Sequence, residues 1–128
     1  MYSFNDAIRR AEAYAEAGAD AIFIEAPSSI EEIEKIPKLL PGIHLVINMV
    51  EGSEKTPLLD LNDIKSMGYS LILYPISMLL ASIKWMKFVL KTLKQDGSTK
   101  LAEEYMSSFS EMFQTVDLQY YRNLEKNF

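Results

Sequence analysis

Apolar residues recur along the chain in two rhythms, and the changes from one to the other divide it into alternating helices and strands. Ala7, Ile8, Ala11, Tyr14, Ala15 and Ala17 keep helical spacing after a cap at Ser3 or Asn5, and Gly18 stops the run at the C′ position. Ala21-Ile22-Phe23-Ile24 follows as a short, almost wholly apolar run, the pattern of a strand buried on both faces. Ser28 with Glu31 reads as a capping box for a short helix whose buried face is Ile30, Ile33 and Ile36 and which closes near Pro37. A second strand, His44-Leu45-Val46-Ile47, leads into Asn48 and a loop through Lys55, Thr56 and Pro57. Asp60 caps a helix ending at Gly68, and a third strand, Leu71-Ile72-Leu73-Tyr74, ends at Pro75. The strand centres, near residues 22, 46 and 72, recur about every 25 residues, the period of a β/α repeat. The class is therefore α/β, with parallel strands joined by right-handed crossovers in a doubly wound sheet or in part of an eight-stranded barrel.

Beyond the third strand, residues 78 to 94 predict a helix in which Met78, Leu79, Ile83, Trp85, Met86, Val89, Leu90 and Leu93 spread over roughly 160° of the wheel, against about 100° for an ordinary surface helix. Lys84, Lys87, Lys91 and Lys94 fill the narrow polar strip. Asp96-Gly97-Ser98 breaks the chain, and a helix from Thr99 to about Phe113 opens a C-terminal tail over 99–128. The uncharged stretch from 66 to 83 is not a membrane span, because Gly68, Pro75 and several serines interrupt it.

Composition narrows the functional classes. The length of 128 residues is one domain's worth, 1–128, and 48% hydrophobic content is enough to bury a core. A net charge of −5 lacks the positive field that holds a phosphate backbone, so nucleic acid is not an expected partner. The absence of cysteine removes disulfides, thiolate metal sites and a cysteine nucleophile, and fits a reducing cytoplasm. No secretory signal is visible in Met1 to Asp6, and no glycine spacing matches a dinucleotide or phosphate loop.

In both parallel architectures function gathers at the carboxyl ends of the strands. That position selects Glu25 after the first strand, Asn48 and Glu51 after the second, Ser77 after the third, and Lys55 and Thr56 in the loop between. Such a set suits a small oxygen-rich acid, or hydrated Mg²⁺ through Glu25 or Glu51. Each residue also has a structural role open to it. Glu25 and Asn48 can cap the following helices, Glu51 and Lys55 can form a loop ion pair, and Ser77 can be the N-cap of the long helix. His44 opens its strand at the opposite, amino-terminal end, where a structural role is expected.

The ordered words Arg10-Ala11-Glu12-Ala13-Tyr14, Ala17-Gly18-Ala19-Asp20, Phe23-Ile24-Glu25-Ala26-Pro27, Asn48-Met49-Val50-Glu51-Gly52 and Lys55-Thr56-Pro57 resemble the C-terminal part of the isocitrate lyase and phosphoenolpyruvate mutase superfamily. The likeness is strongest to its methylisocitrate lyase-like and carboxyphosphonoenolpyruvate mutase-like branch, over about residues 7 to 113. It implies the last three units of a Mg²⁺-dependent (β/α)₈ TIM barrel followed by C-terminal helices. The implied chemistry is C–C cleavage or phosphoryl-carbon rearrangement of small α-oxo or α-hydroxy carboxylates through an enolate. The resemblance places Glu25 and Asn48 at the substrate's carboxylate and the metal's water shell, and makes the helix of residues 78–94 one that is exchanged between subunits. The family's Mg²⁺-binding aspartates, its lysine-cysteine-glycine-histidine loop and its substrate-binding arginine all precede the matched region, so no catalytic or metal-ligating residue is assigned here. Two readings follow: an enzyme completed by a missing N-terminal half, or a truncated paralogue acting only by association. Both predict a homo-oligomer or a partner chain, and neither predicts tight Mg²⁺ binding by this chain alone.

Overall fold

The computed structural model describes residues 3–126; residues 1–2 and 127–128, the outermost ends of the predicted domain and tail, lie outside the described residues. The chain forms two compact units that divide between residues 81 and 82. The first contains α1 (Phe4–Glu16), β1 (Ala21–Phe23), α2 (Ile30–Leu39), β2 (His44–Asn48), α3 (Leu61–Met67) and β3 (Leu71–Leu73). Its strands form a parallel sheet in the order β1-β2-β3, with Ile22 opposite Leu45 and Ile47 opposite Ile72. This is the predicted β/α alternation.

Local chemistry sets the ends of these elements. Ser3 caps α1 by accepting from the Asp6 amide, and Gly18, at φ +99°, closes it while the Ala19 amide returns to the Tyr14 carbonyl. The predicted capping box of Ser28 with Glu31 does not form; the cap sits one residue further along. Ser29 is the N-cap and accepts from Glu32, whose carboxylate takes both the amide and the hydroxyl of Ser28. Helix α2 also runs past Pro37 to Leu39 instead of closing there. Proline removes the amide that would serve the Ile33 carbonyl one turn back. The buried Tyr69 hydroxyl supplies the missing donor, reaching that carbonyl at 3.0 Å.

Side chains alternate across a strand, so the sheet has two unlike faces. On one, Ile22, Leu45 and Ile47 are buried against Ile8 and Ala11 of α1, Ile33 and Ile36 of α2 and Ile64 of α3, each side chain contributing about 1.5–3 kcal/mol. On the other, Phe23, Leu71 and Leu73 remain 43%, 51% and 40% exposed. The expectation of a strand buried on both faces is thereby corrected, because the connecting helices of this chain cover one face alone.

The long helix α4 (Ser77–Asp96) begins in the first unit and continues in the second. In the second unit a 3₁₀ turn over Lys100–Tyr105, α5 (Phe109–Thr115) and α6 (Leu118–Glu125) replace the single helix expected from Thr99 to Phe113. Met106 to Ser108 interrupts it, and Ser108 with Glu111 restarts the chain through a full capping box. Within this unit Trp85 stacks on Tyr105 at 5.0 Å while Phe88 meets both rings edge-on. Among the described residues no helix is long and apolar enough to cross a membrane.

Burial pushes the Tyr69 hydroxyl up to about 12, so it remains a donor throughout the neutral range. Its folded value lies above the ordinary 10.0, so the associated stability is complete below about pH 10 and is lost as pH rises towards 12. Tyr69→Phe should cost about 1–3 kcal/mol in denaturant unfolding, by leaving the Ile33 carbonyl buried without a partner. The gap between the two proteins should narrow between pH 10 and 12.

Candidate functional site

The carboxyl ends of β1 and β2 open onto a cleft of about 200 Å³. Glu25, Asn48, Ser53, Lys55 and Thr56 all line it, with Phe23, Pro27 and Val50 as apolar wall. Asn48 is the last residue of β2 and pairs in register with Leu73, which puts it on the sheet face opposite the helices. Glu25 lies two residues beyond Phe23 on the neighbouring strand and is exposed. The next residue, Ala26, has φ 54°, in the left-handed region that costs a non-glycine residue about 1–2 kcal/mol. A strained turn immediately after the candidate acid fixes the direction in which the chain leaves the strand.

The loop after β2 is organised by Ser53, whose hydroxyl accepts from the amides of Lys55 at 3.2 Å and Thr56 at 3.4 Å. This local turn brings Lys55 and Thr56 to the cleft wall. Ser53 was not selected from the sequence; the signal for it was the turn pair Gly52-Ser53, with Gly52 at φ +72°. The Asn48 Oδ1 atom is sealed from solvent without a hydrogen-bond donor. The wall thus offers an ammonium, an amide and two hydroxyls as donors, with the Glu25 carboxylate as acceptor.

Glu51 and Ser77 are not on this cleft wall. Neither expected structural role for them holds: Ser77 is the first residue of α4 rather than its cap, and Glu51 binds Ser77 rather than Lys55. The Ser77 hydroxyl donates to Glu51 Oε1 at 2.5 Å. That bond, with a backbone amide of Glu51 itself, holds the Glu51 carboxyl below the ordinary carboxylate range. His44 stands at the opposite end of β2, with its Nδ1 3.1 Å from the Ser70 hydroxyl.

Among the described residues no three histidine, aspartate or glutamate side chains converge to hold a metal ion. Mg²⁺ requires several oxygen ligands at once, and Glu25 is the carboxylate on the cleft wall. The donor set present does not make a Mg²⁺ site by itself.

The sequence profile of the phosphoenolpyruvate phosphomutase family matches residues 2–94. The chain is 43% identical over 123 residues to the chloroplastic carboxyvinyl-carboxyphosphonate phosphorylmutase of Arabidopsis thaliana, covering 96% of this chain and 36% of that protein. The crystal structure of 2,3-dimethylmalate lyase, a member of the PEP mutase/isocitrate lyase superfamily, superposes with a TM-score of 0.84 at 28% identity. That match covers 96% of this chain and 42% of the lyase. The structure of phosphonopyruvate hydrolase in complex with oxalate and Mg²⁺ has the same fold over 98% of this chain and 44% of its own, with a TM-score of 0.77 and 23% identity. The chain thus spans about two fifths of the length of the relatives it matches.

Proposed function

The chain belongs to the phosphoenolpyruvate phosphomutase family, and from that premise we propose that it forms the carboxylate-binding wall of a lyase- or mutase-type site for small α-oxo or α-hydroxy acids. The observation that carries the proposal is the meeting of Glu25 and Asn48 on one small cleft at the carboxyl ends of adjacent parallel strands. Asn48, Lys55 and Thr56 donate to the substrate carboxylate. Glu25 is acceptor-only when ionised, so it receives a substrate hydroxyl or a metal-bound water. The ligands for Mg²⁺ and the proton-transferring groups come from polypeptide outside these 128 residues, which supplies the remaining strands of the barrel.

Activity therefore requires completion. The purified chain alone should show no turnover of methylisocitrate-like or dimethylmalate-like acids, whereas mixing it with a polypeptide carrying the other strands should restore Mg²⁺-dependent cleavage. In the reconstituted enzyme Asn48→Ala should lower kcat/KM by about fivefold to 150-fold, the equivalent of ~1–3 kcal/mol for a donor lost from a buried carboxylate. Unchanged kinetics would remove Asn48 from the site, and turnover by the chain alone would show the added strands to be dispensable.

A second reading, in which the chain acts only by association, draws on its exposed apolar side chains. Met78 is 77% and Leu90 64% exposed on α4, in addition to the uncovered residues of the sheet. Both readings place an exchanged helix α4 in a homo-oligomer or against a partner chain. Light scattering at tens of micromolar should accordingly report an oligomer with dilution-sensitive Trp85 fluorescence. A stable monomer with constant fluorescence would contradict both forms of association.

A further inference from the structure

Glu51 carries an unused bond in an unusual position. Its Oε1 atom is taken by Ser77, and its Oε2 atom is sealed from solvent with no hydrogen-bond donor. We propose that Glu51 Oε2 is the seat for a cationic N–H donor, an ammonium or guanidinium group carried by a polypeptide outside this chain. Three observations fix that chemistry. A carboxylate oxygen removed from water needs a donor, and an ionised one is best satisfied by a charge-assisted bond. The bonds from the Ser77 hydroxyl and from the backbone amide of Glu51 are neutral, so they orient the carboxylate without cancelling its charge. The lysine nearest in sequence, Lys55, is exposed and lines the cleft, of which Glu51 is not a wall residue.

An incoming anion would be repelled by Glu51, so the donor belongs to protein rather than to a carboxylate substrate. The placement gives the contact a consequence. Glu51 follows Asn48 by three residues and ties the loop after β2 to the first residue of α4. A cation bound there would fix the loop that follows Asn48 and carries Lys55 and Thr56. The inference does not depend on the catalytic reading, since it concerns binding to the free chain.

The test is carboxyl-detected NMR of the full chain with ¹³C-labelled glutamate, titrated with methylguanidinium and, separately, with methylammonium. The Glu51 carboxyl resonance should shift saturably with at least one probe, and its titration midpoint should move down further in the probe's presence. Ser77→Ala should raise that midpoint in the free protein while preserving the response. In Glu51→Gln, probe binding followed through neighbouring amides should weaken by about tenfold or more, as expected for loss of a hydrogen bond to a charged group. Lys55→Met guards against an internal partner: a changed Glu51 midpoint in that variant would identify Lys55 as the donor and overturn the proposal. Indifference of Glu51 to both probes would leave solvent as its partner and overturn the proposal equally.

Discussion

A strand in a parallel sheet has two faces, and the short helical crossovers between β1, β2 and β3 follow one hand and pack on one side. Most of the structure depends on that asymmetry. The covered side holds the tightest packing in the molecule, with Ile33, Leu45, Ile47 and Ile64 all essentially removed from solvent. The uncovered side holds Phe23, Leu71 and Leu73 and, at its carboxyl end, Asn48. The residues proposed to bind substrate and those that call for further protein thus share one face, because the two-residue period of a strand assigns both sets together. An apolar face left open beside a polar cleft is what a segment of a closed barrel presents when described by itself.

On the covered side a local conflict is resolved at long range. Pro37 lies inside α2 and strips the Ile33 carbonyl of its helical donor, in the middle of the core. Tyr69, thirty-six residues away, donates in its place. Gly68 supplies the turn that makes the approach possible, because it closes α3 at φ +107°, a left-handed conformation that a side chain would strain. The turn before β3 therefore serves the fold and the site together, since it docks α3 on α2 and delivers the third strand in register beside Asn48.

The alternation of elements was legible because apolar runs and turn residues coincide at every boundary from Gly18 to Pro75, and the resemblance of the ordered words to one superfamily agrees with the family match. What sequence pattern missed was each feature decided by a distant partner. Pro37 stops a helix by local rules, and only Tyr69 lets this one continue. Ser77 has the right chemistry for an N-cap but gives its hydroxyl to Glu51, twenty-six residues earlier. The cap slipped by one residue because Ser28 and Ser29 are adjacent equivalents, and the Glu32 carboxylate bonds Ser28 outside the cap rather than completing a box. The region after Gly97 read as one helix because Met106-Ser107-Ser108 contains neither glycine nor proline. In the candidate site, Glu25 and Asn48 followed from strand ends alone, whereas the role of Ser53 required the loop's backbone.

One face of the β1-β2-β3 sheet is packed and the other, with the Glu25 and Asn48 cleft at its end, is open in this chain. Hydroxyl-radical footprinting of the folded 128-residue protein, read residue by residue with mass spectrometry, tests it directly. Phe23, Leu71 and Leu73 should label rapidly while Ile22, Leu45 and Ile47 stay protected, and Phe23, Leu71 and Leu73 should become protected once polypeptide completing the barrel is added. Equal labelling of the two sets, or protection of Leu45 and Ile47 lost while Leu71 and Leu73 stay protected, would contradict it.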